Sequence, residues 1–147
     1  MSDVVVIGAG MSGIACARAL QAEGVPVRLI DKGRGIGGRM ATRRTAVAGK
    51  TITFDHGAQY LDRSEDAAAT AALGKGAVDA WHLGDGTSRI VGVPGMAALP
   101  RALANGLDVT LNTRVTTVRA RCGLFQIETD AGKTAASHVN NTLPAPH

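Results

Sequence analysis

The apolar positions of the chain fall into runs of different period, and the period assigns the elements. VVVI at Val4–Ile7 is continuous, as in a strand buried on both faces of a parallel sheet. Glycines follow at once. From Met11 to Glu23 the period is helical: Gly13, Cys16, Ala17 and Leu20 fall at i, i+3, i+4 and i+7 on one face, with Arg18 and Ala22 pointing the other way. Gly24 suits the left-handed residue that ends a helix, and Pro26 stops it from resuming. Val27–Ile30 is then a second strand, so the first thirty residues read as a β-α-β unit with both strand ends at one crevice.

Further along the signals thin out. Thr51–Phe54 reads as a short strand leading into DHGAQYL, Glu65–Leu73 as an alanine-rich helix with Ser64 as N-cap, and Gly84–Gly86 as a turn. Met96–Asn105 reads as a helix that tolerates Pro100 only near its first turn and is closed by Gly106. From Asp108 the period becomes two: DVTL, TRVTTVRA and LFQIET are separated by Asn112, by Gly123 and by DAGK, which predicts a small antiparallel meander. SHVNNTLPAP begins like one more strand, but Asn140 and Asn141 interrupt its apolar pattern. Buried without partners, such amides cost about 1–3 kcal/mol each, so they are expected to be partly exposed.

Composition narrows the class. The 147 residues, 45% of them hydrophobic, allow one ordinary core and far exceed the apolar content of a disordered chain. One domain over 1–147 is the expectation. The first residues show neither a basic signal-peptide start nor a cleavage pattern, and no run approaches the ~18 apolar residues of a membrane span. A cytoplasmic location is expected. Cys16 and Cys122 have no metal or disulfide spacing, and the four histidines have none either. The net charge of +4 suits an anionic ligand. It would also suit nucleic acid, but one Trp, one Tyr and two Phe give little base stacking and no recognition motif is present.

The candidate chemistry lies in the glycines. Gly8, Gly10 and Gly13 give G-x-G-x-x-G between a strand and a helix, with Met11 and Ser12 inside the turn and Asp31 eighteen residues past the last glycine. Alone the motif is weak; in this context it predicts a dinucleotide site. Gly8 allows the tight turn, Gly10 lets backbone approach a diphosphate, and Gly13 permits close helix–sheet contact. The helix N-terminus offers unpaired N–H groups to the diphosphate, and the Asp31 carboxylate can accept both ribose hydroxyls. An acid here favours a ribose without a 2′-phosphate, although Lys32 beside it keeps the phosphorylated form open. A second loop, DKGRGIGGRM, follows the second strand. Gly37, Gly38, Arg39 and the closing Met40 would supply further N–H groups and a guanidinium fork to a longer cofactor, a flavin dinucleotide.

IGAGMSGIACARAL, DKGRGIGGRM, FDHGAQYL, VGVPGMAALPRALA and LPAP, in this order, resemble the amino-terminal part of the renalase-like branch of the flavin-containing amine oxidase superfamily. The likeness runs over nearly the whole chain. It implies an α/β fold: a Rossmann-like FAD/NAD(P)-binding domain with a parallel sheet, a crossover helix and a small β-meander. It implies FAD as cofactor, with Ser12 at the pyrophosphate turn, Asp31 at the ribose, Arg39 on the phosphate side, Gln59 and Tyr60 near the flavin ring, and the Val115 backbone at the adenine. His56 would lie near the flavin edge, more as a hydrogen-bonding loop residue than as a tuning group. It implies an oxidoreductase that takes hydride from a reduced nicotinamide (NADH or NADPH) or an amine-like substrate; no catalytic side chain is assigned. Members are longer, and nothing here matches their substrate domain or their carboxy-terminal glycine-containing segment. The alternative is therefore a dinucleotide-binding module that holds FAD or an ADP moiety without catalysis, or one whose site a partner chain or self-association completes.

Overall fold

The computed structural model describes residues 4–62 and 75–143, and divides into two compact units, Met1–Gly38 with Gly106–His147, and Arg39–Asn105. The helix expected over Glu65–Leu73 lies outside the described residues. Among the described residues, no helix is long and apolar enough to cross a membrane.

The first unit is built on β1 (Val4–Ile7), all four residues of which are buried. The crossover is α1 (Met11–Ala22). It ends as the glycine predicts: Gly24 has φ +74°, its N–H donates to Gln21 O at 3.0 Å and the Val25 N–H to Leu20 O at 2.9 Å, the paired bonds that satisfy a helix's last carbonyls. Its buried residues are Gly13, Ile14 and Ala17. Cys16 and Leu20, expected on that face, are half-buried at its flanks. Gly13 lets the helix approach the sheet closely, and the face is turned so that Ile14 is innermost.

β2 (Val27–Ile30) lies parallel to β1, with Val4 opposite Val27 and Ile7 opposite Ile30. The next strand, β7 (Asp108–Thr110), corrects an expectation. It is not the first strand of the meander but runs parallel to β2, Arg28 opposite Asp108. Three residues are too few for their period to separate the two cases. The meander is β8 (Val115–Arg121), β9 (Leu124–Thr129) and β10 (Gly132–Ala136), antiparallel with β9 in the middle. The chain then returns as β11 (His138–Asn141), parallel to β1 on its far side. The order β11-β1-β2-β7 makes β1 the point where the strand sequence reverses, and ligands of open α/β sheets bind at the carboxyl ends of strands at such a point. Val5, Ile7, Ile30, Ile127 and Ala136 form the core between sheet and meander, with Val115 and Val139 packed against it. Asn140 and Asn141 are exposed on the outer strand, which is how the strand continues through them.

Among its described residues, the second unit holds two hairpins and a helix. β3 (Thr42–Val47) pairs antiparallel with β4 (Lys50–Asp55); β4 contains the expected Thr51–Phe54, while β3 carries no clear alternation. β5 (Val78–His82) pairs with β6 (Ser88–Gly92) around a turn with Gly86 at φ +82°. α2 (Ala98–Leu103) starts two residues later than Met96. Pro100 is its third residue, where a missing N–H costs nothing.

Candidate dinucleotide site at the first glycine turn

The turn after β1 is held peptide by peptide. The Gly8 N–H donates to Ile30 O at 2.9 Å, and on the other end of that peptide Ile7 O accepts from the Thr142 N–H at 3.0 Å and from Thr142 Oγ1 at 2.8 Å. The next peptide is fixed by the Ala9 N–H, which donates to Asp31 Oδ2 at 2.6 Å. Ala9 O in turn accepts from the Gly37 N–H at 3.0 Å. Gly8 has φ +108°, a conformation that side-chain-bearing residues rarely adopt, and a Cβ on Gly13 would overlap Gly8 O. Glycine at positions 8 and 13 is thus required by the backbone itself, whatever binds.

α1 begins at this turn with a bare end. Its N-cap, Gly10, makes no side-chain cap bond, and the first turn contains no acidic residue. The N-terminal N–H groups and the positive end of the helix dipole are therefore not neutralised by the chain, which favours an anion. Ser12 is exposed there, with Met11 half-buried beside it.

Asp31 is half-buried at the end of β2. Its Oδ2 takes the Ala9 N–H and its Oδ1 takes the Gly33 N–H at 2.6 Å. Its backbone is tied to the β7 end: the Asp31 N–H donates to Thr110 O at 2.9 Å and the Thr113 N–H to Asp31 O at 2.9 Å. Two carboxylate oxygens have about four acceptor sites, so each keeps room for one more donor such as a ribose hydroxyl. Lys32 is exposed next to it. Val115, half-buried, opens β8 at a register irregularity between Val115 and Thr117, and such bulges expose backbone otherwise used in the ladder.

The second glycine loop is bonded to the first. Besides the Gly37–Ala9 bond, Gly10 and Gly37 form a parallel bridge. Gly38 has φ +54°, and a Cβ on it would stand 3.2 Å from the Gly10 Cα. The two glycine loops from successive strand ends thus meet where the second, at Gly37 with φ +131° and Gly38 with φ +54°, could not carry a side chain without strain.

The remaining expected residues lie in the second unit. Arg39 is exposed; its carbonyl accepts from the Ala58 N–H at 2.9 Å, and a Cβ on Gly57 would overlap that carbonyl, so the Arg39 backbone and the HGA segment fix each other. Met40 is buried. Gln59 is exposed. Tyr60 tilts against Trp81 with ring centroids 6.3 Å apart, and the Arg89 guanidinium lies 4.7 Å over the Tyr60 ring while pairing with Asp62. Asp55 is the polar hub of this unit. Its Oδ1 accepts from Thr42 Oγ1 at 2.6 Å and its carboxylate accepts from the Met96 N–H at 3.1 Å. Among the described residues, no group of three or more His, Cys, Asp or Glu is placed to hold a metal. Thr142 and Asp55 escaped the reading of the sequence, because the groups they hold lie far from them along the chain.

Residues 6–74 match the family of NAD(P)-binding Rossmann-like domains. The chain is 29% identical to renalase of Mus musculus over 99% of its own length and 48% of that protein's, so it spans about half of that curated relative. Among solved structures it resembles putrescine oxidase bound to putrescine, with TM-score 0.69 and 16% identity over 97% of this chain and 58% of that one. It also resembles the FAD-bound form of OTEMO, with TM-score 0.63 and 24% identity over 99% of this chain and 26% of that one. The likeness to these structures is one of fold. The chain is therefore renalase-like in sequence and Rossmann-like in fold, with the NAD(P)-binding Rossmann-like family matched over its first half.

Proposed function

We propose that the chain binds FAD and serves an oxidoreductase of the amine oxidase type. The observation that carries this reading is the joining of the two glycine loops beside an uncapped helix N-terminus, with Asp31 at the second strand end. In this reading the backbone at Gly8, Gly10, Met11, Ser12, Gly13 and Gly38 faces the diphosphate, Asp31 and Lys32 lie at the adenosine ribose, and the Val115 backbone meets the adenine. Arg39, Met40, Gln59 and Tyr60 are assigned to the cofactor by resemblance, and their substitution tests that assignment separately.

FAD, when bound, supplies a ring that accepts and returns hydride. The chain's own contribution is to bind and orient it: fixed N–H groups stabilise the diphosphate without reorganisation, and the carboxylate selects a ribose with two hydroxyls. The substrate in this reading is a reduced nicotinamide or an amine. Because the chain spans 48% of renalase, a second reading stands beside the first: a module that holds FAD or ADP and performs no redox step without a partner.

Titration of the purified chain with ADP and FAD, followed by calorimetry and the visible spectrum, tests the binding; anaerobic NADH or NADPH then tests the chemistry. Bound yellow flavin that bleaches supports the oxidoreductase. Flavin that binds without bleaching supports the module. No heat with either nucleotide overturns both.

A further inference from the structure

We infer that Thr142 is a positioning residue of the dinucleotide turn, a role that rests on the cofactor reading above. Thr142 follows β11 and is 134 residues from Gly8 in sequence, yet its hydroxyl occupies the space left by two of the three motif glycines. A Cβ on Gly8 would stand 2.7 Å from Thr142 Oγ1 and one on Gly13 would stand 3.0 Å from it. The hydroxyl donates to Ile7 O at 2.8 Å and lies 3.4 Å from Gly8 O. The Ile7–Gly8 peptide is therefore gripped at both ends, by the Thr142 hydroxyl at its carbonyl and by Ile30 O at its N–H, and Asp31 Oδ2 holds the N–H of the next peptide. With these two peptides set, the direction of the N–H groups that follow is set as well.

The missing Cβ atoms at Gly8 and Gly13 thus do two things. They admit the close turn, and they seat a hydroxyl carried in by the last strand of the sheet. The turn is complete only when β11 has paired with β1.

A packing role and a positioning role separate on substitution. Thr142→Val keeps the shape and the backbone N–H but removes the donated proton; Thr142→Ser keeps the proton and removes a methyl. The measurements are ADP affinity by calorimetry, far-UV circular dichroism for the fold, and hydrogen exchange of the Ala9 amide without ligand. Thr142→Val is expected to weaken ADP about tenfold, the size of one hydrogen bond to a buried carbonyl, and to speed Ala9 exchange. Thr142→Ser is expected to restore both. Valine equal to threonine in affinity and exchange overturns the inference, as does serine failing as badly as valine. Should the valine variant not fold, Thr142→Cys, with a weakly donating thiol, is compared under the same rule. A wild type that binds no ADP overturns the cofactor reading instead, and Ala9 exchange then decides whether the hydroxyl fixes the turn.

Discussion

At the scale of single residues, the glycines sort by what an added methyl would meet. A Cβ on Gly13 would run into Gly8 O, which is backbone and cannot swing away, whereas one on Gly24 would meet nothing. Gly13→Ala is therefore expected to destabilise the chain by about 2 kcal/mol or more, as overpacking does. Gly24→Ala is expected to lose only the roughly 1 kcal/mol of a left-handed conformation; urea unfolding of the two variants compares them. Asp31→Asn poses a different question. An amide has one acceptor oxygen, but the Ala9 and Gly33 N–H groups each claim one. The variant is expected to lose about 1–3 kcal/mol of stability together with ADP affinity, and equal melting of variant and wild type would show that these bonds contribute nothing. The glycine spacing and Asp31 were legible because their demands are local to one turn. Thr142 was not, since nothing near it in sequence reveals that its hydroxyl fills a space 134 residues away.

At the scale of elements, turn chemistry explains both a missed strand and a route to stabilisation. β3 and β4 are joined by Ala48-Gly49, with φ +49° and +76°, and β8 and β9 by Cys122-Gly123, with φ +49° and +78°. Both pairs have the positive φ values of the two-residue hairpin turn that favours Asn-Gly. Alanine at the first position conceals that signal, and adjacent Arg43 and Arg44 break the alternation of TRRTAV, so β3 was unreadable. Ala48→Asn and Cys122→Asn are each expected to raise the melting midpoint, by about 1 kcal/mol of relieved left-handed strain; a lowered midpoint would count against the turn geometry. The short β7 was placed in the wrong sheet for a related reason, since only pairing partners distinguish it from a meander strand. Across β9 and β10, the hydrogen bond from Lys133 and its charge hold the half-buried Glu128 carboxyl below the usual carboxylate range. A lowered folded pKa means that this pair's small contribution is present above the unfolded value and fades as pH falls through the folded one. Wild type and Glu128→Gln should therefore melt differently at neutral pH and converge in acid.

At the scale of the molecule, the aromatic residues sit outside the core. Phe54, Tyr60 and Trp81 are 44%, 41% and 48% exposed, three of the four aromatic residues in the chain, and all belong to the unit Arg39–Asn105. The other unit has an aliphatic core of its own around Val5, Ile7, Ile30, Ile127 and Ala136. It also contains Gly8, Gly10, Met11, Ser12, Gly13, Asp31, Lys32, Val115 and Thr142, the residues assigned above to the adenosine, the first turn and its clasp. Nucleotide binding should therefore be separable from residues 39–105. Joining Gly38 to Gly106 through a flexible glycine-serine linker is expected to leave a folded protein that binds ADP within about tenfold of the full chain, since long surface connections cost little closure entropy. Calorimetry with ADP and amide exchange across β1 report the outcome. Lost protection in β1 would mean that the sheet depends on the excised unit, and retained protection without binding would place part of the adenosine site within 39–105.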